Sequence, residues 1–360
     1  MPLLQHQPKS ILVTGGAGFI GSNFLHQIVP KLSDASIVNI DKLTYAGNLL
    51  SLQDIENAPN YQFVHGDICD LNLLKRLFEE HQFTTVIHFA AESHVDRSIH
   101  TPLEFIQSNV AGTASLLEVA KDAWMSESSC RETYRFLHVS TDEVFGALGA
   151  EGKFTTDSPY APRSPYAASK ASADHFVRAY AETYGLPVII SNCSNNYGPY
   201  QFPEKLIPLA IIRALEMEPI PVYSKGENVR DWLHVHDHCD ALQCILSYGE
   251  CGETYLVGGF GELSNLDLLK LLCNMIDEQL QRPIHTSQSL ITFVQDRPGH
   301  DFRYAIDSSK LTTELDWFPR YSLRDGLNAT VQWYLSHSSW LKAVMDQSYR
   351  DYLKSQYVSL

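Results

Sequence analysis

Positive charge is scarce in this chain: 27 Lys and Arg stand against 42 Asp and Glu, for a formal net charge of -15. A surface so rich in carboxylates repels a phosphate backbone, which argues against nucleic acid as a partner. An anionic small molecule can be held only where a local cluster of Arg and Lys overrides that field. Paired cysteine is also lacking. The seven Cys (69, 130, 193, 239, 244, 251, 273) are odd in number and scattered, with no C-x-x-C spacing. That excludes a disulfide framework and a zinc knuckle, and leaves reduced, mostly buried thiols. No segment approaches 18 uninterrupted apolar residues, and Met1–Ser10 has no apolar run of signal-peptide length. The expectation is a soluble cytoplasmic protein with no membrane segment. Internal repeats and low-complexity linkers are absent too.

What the chain does have is 360 residues, 44% of them hydrophobic, enough for a large core and for two domains or one domain with a sizeable lobe. Short apolar runs recur at Ile11–Val13, Ile37–Ile40, Phe63–Val64, Val86–Phe89, Phe136–Val139 and Val188–Ile190. Runs of this kind, bounded by turn residues, are what strands buried on both faces of a parallel sheet look like. Between them, segments such as Leu71–Gln82 and Asn109–Ala123 carry apolar residues at helical spacing. The alternation predicts an α/β fold with a doubly wound parallel sheet. After about Tyr197 the rhythm is broken by Pro199, Pro203, Pro208, Pro219 and Pro221, and Leu266–Gln281 and Leu323–Leu335 read as later helices. The predicted division is a Rossmann domain over 1–199, to which the chain returns around 230–260, and a smaller lobe built from 200–229 and 261–360.

Directly after the first run comes Gly15-Gly16-Ala17-Gly18-Phe19-Ile20-Gly21. Glycines in that pattern permit a tight turn, let backbone approach a pyrophosphate and place it at a helix N-terminus. Asp41 ends the second run, 20 residues after Gly21, where a carboxylate accepts from a ribose hydroxyl and repels a 2′-phosphate. NAD is therefore favoured over NADP. Asp67, after the third run, is placed either to meet the adenine amino group or to cap a helix. Phe89-Ala90-Ala91-Glu92-Ser93, after the fourth, offers small residues against which a cofactor can lie.

Tyr166 and Lys170 stand four apart after Pro165, on one face of a predicted helix. A cation beside a phenol lowers its pKa, making the tyrosine a general base for a sugar hydroxyl. With Ser140 and Thr141 upstream, the group resembles the catalytic set of short-chain dehydrogenase/reductases. The fifth run ends in Thr141-Asp142-Glu143, where adjacent carboxyl groups either push one pKa upward, giving an acid and a base, or simply cap the next turn.

Together with Asp41-Lys42-Leu43-Thr44-Tyr45-Ala46-Gly47-Asn48, Ala90 to Ser98, Asn192 to Pro199 and Asp296 to Asp301, these motifs resemble the dTDP-glucose 4,6-dehydratases, extended short-chain dehydrogenase/reductases, from about Ser10 to Tyr334. The resemblance implies that Tyr166 takes the C4 hydroxyl proton with Thr141 bonded to the same oxygen. Glu143 would then remove the C5 proton and Asp142 protonate the departing C6 hydroxyl, with Lys170 completing the catalytic set. It implies NAD contacts from Gly15, Gly18, Phe19, Ile20, Gly21, Asp41, Lys42, Leu43, Thr44, Asp67, Ile68, Phe89, Ala90, Ala91, Ser108, Tyr166, Lys170 and Asn196. It implies dTDP-glucose contacts from Ser93, Thr141, Asn195, Lys205, Leu206, Pro221, Tyr223, Arg230, Asn265, Asp296, Arg297 and His300. Arg230 and Arg297 suit a diphosphate, which guanidinium binds bidentately, the alternative for either being a surface ion pair. A homodimer through Asn109–Ala123 and Tyr166–Tyr184 is implied as well.

Phe145 stands where the resemblance has Tyr, as a packing ring, and Leu148–Asp157 is a shortened loop. His234-Val235-His236-Asp237-His238 has the look of a metal cluster, but falls in a structural region of the resembled family, so no metal is expected. A UDP-hexose 4-epimerase needs the glycine loop, the Tyr/Lys pair and NAD but no acid for elimination, so Asp142 discriminates against it. A non-catalytic NAD-binding protein would have no need to keep Thr141, Asp142, Glu143, Tyr166 and Lys170 together.

Overall fold

The computed structural model describes residues 6–125, 133–345 and 349. Cys130 and residues 1–5 lie outside the described residues. The apolar runs form strands β1 (Ser10–Thr14), β2 (Ser36–Asp41), β3 (Tyr61–His65), β4 (Thr85–His88), β5 (Arg135–Thr141) and β6 (Val188–Cys193). Helices α1 (Phe19–Lys31), α2 (Leu71–His81), α3 (Val95–His100), α4 (Pro102–Phe105), α5 (Gly112–Trp124) and α6 (Pro165–Tyr184) intervene, with a π-helical stretch over Ile106–Ala111 joining α4 to α5. The strands pair in parallel, in the order β6-β5-β4-β1-β2-β3.

Alternation along each strand divides the core. Ile11 and Val13 of β1 face one cluster with Phe24, Leu25 and Ile28 of α1. Leu12 faces another with Leu74 and Phe78 of α2, Leu116 and Leu117 of α5, and Val177 of α6. Strand order reverses at β1, and the crevice at such a point lies beyond the carboxyl ends of the strands.

The rest of the chain both leaves and rejoins this sheet. β7 (Asn195–Tyr197), α7 (Leu206–Glu216), β8 (Ile220–Tyr223) and β9 (Val229–His234) lead to α8 (Val235–Tyr248) and β10 (Thr254–Val257). β10 pairs in parallel with β6 as a seventh strand, and α8 adds Val235, Leu242 and Ile245 to the core under α1. The seventh strand was not among the six runs read from the sequence, because Tyr255–Val257 is too short to stand out. There follow β11 (Glu262–Ser264), α9 (Asn265–Gln279), β12 (Ile291–Val294), α10 (Ser309–Leu315), α11 (Leu323–Ser336) and α12 (Ser338–Val344). α7, α9, α11 and α12 enclose a second core around Leu268, Leu272, Leu327 and Trp340. α10 instead packs on the first core through Leu311 and Leu315. Of the six described cysteines, Cys193, Cys239 and Cys273 are buried, while Cys251 is exposed and Cys69 and Cys244 lie between.

The returning helix is a structural member of the first core, so Leu242→Ala should lower stability to urea by roughly 2–5 kcal/mol, the range for emptying a buried leucine site. A loss within about 0.5 kcal/mol, the size of a typical surface substitution, would contradict this packing.

Candidate active site

The glycine loop turns from β1 into α1 at the strand-order reversal. Gly15 has φ +73°, and a Cβ there would stand 2.5 Å from the Ala90 nitrogen. At Gly21 it would stand 2.3 Å from the Gly15 carbonyl oxygen. Gly18 forms the N-cap of α1 with no described side chain bonded to the first N–H groups, which leaves them for a phosphate. One cleft runs from this loop past Asp41, Lys42, Thr44, Asp67, Ile68, Phe89, Ala90, Ala91 and Ser108 to Tyr166, Lys170 and Asn196. The cradle, bounded by backbone that leaves no room for side chains, fits a dinucleotide.

Asp41 first shapes the loop: its carboxylate accepts from the Ala17 N–H at 2.9 Å and the Leu43 N–H at 2.8 Å. Each oxygen keeps a second lone pair for a ribose hydroxyl. Burial pushes its pKa up, against these bonds. Leu43 contributes that backbone N–H while its side chain packs into the first core and does not line the cleft. Asp67 does not cap α2, a task performed by Asp70. It pairs with Lys42 at 2.7 Å and accepts from the Cys69 N–H.

At the far end of the cleft, the last residue of β5 caps a single turn of 3₁₀ helix over Asp142–Phe145, with Thr141 Oγ1 accepting from the Glu143 N–H at 3.3 Å. The carboxyl groups are therefore not the caps. Asp142 is buried, and its Oδ2 has no hydrogen-bond partner among the described residues. Its pKa is driven well up, first by burial, then by the Glu143 and Asp231 carboxylates. Glu143 also rises with burial, but Arg297, Lys205 and Arg230 pull it back. The pair is thus polarised toward an acid at Asp142 and a base at Glu143.

Tyr166 and Lys170 share the cleft-facing side of α6. The expected lowering of the tyrosine pKa is not what the protein alone produces. Burial and the Glu143 charge push the phenol well up, with a Thr141 hydrogen bond opposing them. Lys170 directs its ammonium at the Val139 carbonyl, 2.8 Å away. Spacing on a helix fixes a shared face, but not which acceptor a long amine selects.

Of the residues read as substrate contacts, four line the cleft and the others lie on elements outside its lining. Ser93, Asn195 and Lys205 line the cleft with Thr141, and Lys205 donates to the Ser93 carbonyl at 3.0 Å. Leu206 begins α7, Pro221 and Tyr223 lie on β8, and Asn265 opens α9 with its Oδ1 buried and unpartnered among the described residues. Tyr223 donates to Asp96 at 3.1 Å and meets the His300 ring edge-on. Arg297 pairs with Asp96 at 3.0 Å, and Asp296 accepts from the Arg297 N–H and holds His300 Nδ1 at 2.6 Å. Arg230 donates to the Val229, Asp301 and Phe302 carbonyls and lies over Tyr304. Arg297 is thus ion-paired and Arg230 bonded to backbone, although Arg297 keeps a buried Nε without a partner among the described residues.

Other residues of the site escaped the sequence reading. Asn109 donates to the Glu92 carbonyl and accepts from its N–H, and also donates to Ser169, so it ties the loop after β4 to α6. Glu204, which lines the cleft, is buried and raised to about 7 by desolvation, and accepts from Tyr45 at 2.9 Å. The π-helical stretch that holds Ser108 is a feature often found at functional sites, and adjacency to Lys205 was the available signal for Glu204. The His segment is engaged in packing and hydrogen bonding: His234 stacks on Tyr321, His236 meets the edges of that ring and of His234, and His238 bonds Asn196. Phe145 packs on Phe154 and Tyr160.

Comparison with known proteins agrees with this geometry. Residues 12–330 match the family model described as GDP-mannose 4,6 dehydratase. The chain is 54% identical over 341 residues to a dTDP-glucose 4,6-dehydratase of Xanthomonas campestris pv. campestris, covering 94% of this chain and 97% of that one. It superposes with a TM-score of 0.83 on a dTDP-glucose 4,6-dehydratase of Bacillus anthracis solved with NAD, at 45% identity over 93% of this chain and 99% of the other. The Streptomyces venezuelae enzyme, solved with NAD and TYD, gives 0.84 at 44% identity over the same shares. The chain belongs to the family that this model describes and, within it, to the dTDP-glucose 4,6-dehydratases.

Proposed function

We propose that this chain converts dTDP-glucose to dTDP-4-keto-6-deoxyglucose and water, as an NAD-dependent hydro-lyase. The observation that carries the reading is the buried Asp142 carboxyl beside Glu143, at the end of the cleft that holds Tyr166 and Thr141. When bound, NAD supplies a cationic nicotinamide that eases ionisation of the Tyr166 phenol, takes hydride from C4 and returns hydride to C6.

Tyr166 accepts the C4 hydroxyl proton, and Thr141 hydrogen-bonds the same oxygen as it becomes a ketone. The ketone acidifies the C5 proton, which Glu143 removes. Asp142, protonated because burial and its neighbours hold its pKa high, gives its proton to the C6 hydroxyl as water departs. Arg297, through its remaining donors, with Lys205, supplies positive charge against the diphosphate in an otherwise acidic protein. Asp41 accepts from the adenosine ribose. An epimerase needs neither the Asp142 acid nor its desolvation.

The protein is proposed to act in the cytoplasm; no helix of the described residues is long and apolar enough to cross a membrane. It is also proposed to pair as a homodimer through α5 and α6. Exposed Leu103, Ile106, Phe176 and Tyr184 on and beside those helices support that reading, and sedimentation at twice the chain mass tests it.

Incubation with dTDP-glucose should yield a 4-keto-6-deoxy sugar lighter by one water, and denatured protein should release NAD. A 4-epimer of unchanged mass, or released NADP, would contradict the proposal. Asp142→Asn should slow loss of water by roughly 10²–10⁴-fold while leaving C4 oxidation intact. Because the acid works only when protonated, the wild-type elimination rate should fall as pH rises through the elevated Asp142 pKa. That alkaline limb should be missing from Asp142→Asn; its persistence would assign it elsewhere.

A further inference from the structure

Behind the cleft lies a carboxylate that the mechanism above does not use. Asp174 sits on α6, one turn beyond Lys170 and two beyond Tyr166, and is fully buried. Its Oδ1 accepts from His138 Nε2 at 3.1 Å. Its Oδ2 accepts from Ser140 Oγ at 2.9 Å, Tyr160 Oη at 2.7 Å and Asn192 Nδ2 at 3.1 Å. These donors come from β5, from the loop before α6 and from β6. The same Asn192 amide nitrogen donates to the Thr141 carbonyl at 3.0 Å. Of this set only Ser140 lines the cleft, so Asp174 acts on the chemistry through other residues.

A buried carboxylate with four donors is expensive to desolvate and rigid once satisfied. Desolvation alone would raise its pKa, yet the His138 and Tyr160 hydrogen bonds and the Lys170 charge bring it below the usual range. Burial drives His138 down to about 4, so at neutral pH the ring is uncharged and donates from Nε2. The buried charges here are then Asp174 and Lys170. Arg178 on α6, Cys193 on β6 and His88, whose ring lies 5.2 Å from His138, complete the titratable surroundings.

We propose that Asp174 is a positioning residue for C4 oxidation, fixing the Thr141–Glu143 turn to the helix that carries Tyr166 and Lys170. The tie runs from the carboxylate through Ser140 and through Asn192 to the Thr141 carbonyl. The hydroxyl, the phenol and the two carboxyl groups thus stay in one geometry while the sugar changes from alcohol to ketone to enone. The same anion opposes the push of burial on the Lys170 ammonium. This inference rests on the function proposed above.

The test compares Asp174→Asn with Asn192→Ala, each checked for native circular dichroism. Both should lose turnover, by about 10²-fold as for a displaced catalytic group, with KM for dTDP-glucose unchanged. Removing the anion makes Lys170 lose its proton at lower pH, so in Asp174→Asn alone the alkaline limb of single-turnover C4 oxidation should move to lower pH. Asn192→Ala keeps the carboxylate and should keep the wild-type limb. If Asp174→Asn does not fold, the kcat-against-KM split of Asn192→Ala decides. Full turnover in the folded variants, or parallel losses in kcat and substrate affinity, overturns the proposal. The wild-type control separates the two claims: no keto-sugar from it defeats the reaction, whereas keto-sugar from it with unimpaired variants defeats only the network.

Discussion

Keeping the Asp142 carboxyl protonated beside a second carboxylate is the constraint on which the arrangement of this site depends. An acid of ordinary pKa would be ionised at neutral pH and unable to protonate a departing hydroxyl. Burial is the largest cause of the upward shift and Glu143 adds to it, but crowding acidic groups also threatens to neutralise the intended base. Arg297, Lys205 and Arg230 answer that threat, each lowering Glu143. Arg230 lowers Asp142 too, so Arg297 and Lys205, the cations proposed to face the diphosphate, are the ones that keep the two carboxyl groups apart in proton affinity.

Those three cations belong to the part of the chain built after β6, whereas Thr141 ends β5 of the sheet and Tyr166 and Lys170 lie on α6. The catalytic geometry therefore depends on the chain's leaving the sheet and returning to it. α8 and β10 re-enter the first core, and Asp231 on β9 accepts from the Gly259 and Gly261 N–H groups, fixing the segment between the two. Arg303 makes a comparable tie, pairing with Glu262 and donating to the Gly152 carbonyl at 2.9 Å. A net charge of -15 and an anionic substrate are compatible because Arg297, Lys205 and Arg230 gather close enough to lower Glu143.

What was legible in the sequence follows the range of the forces involved. β1 and the glycine loop were legible because burial on both faces and close backbone approach dictate residue type locally. Helices such as Leu71–His81 matched the expected Leu71–Gln82 within a residue, since an apolar period of 3.6 reports directly on burial. The choice of hydrogen-bond partner was not legible. Lys170 turning to the Val139 carbonyl, Arg230 to three backbone carbonyls and Arg297 to Asp96 are tertiary outcomes between residues up to 201 apart in the chain. Asp174 was invisible for the same reason, because a lone Asp on a helix shows nothing of four donors gathered from elsewhere.

The central claim is that one cofactor, held in place, carries hydrogen from C4 to C6 of the same sugar while Asp142 and Glu143 remove water between the two transfers. dTDP-glucose carrying deuterium at C4 and carbon-13 throughout the hexose tests this most directly when mixed with unlabelled substrate and the product is read by mass spectrometry and NMR. The account predicts deuterium at C6 of the product, with labelled and unlabelled molecules remaining separate and a solvent hydrogen at C5. Deuterium retained at C4, lost to water or exchanged between molecules would contradict it.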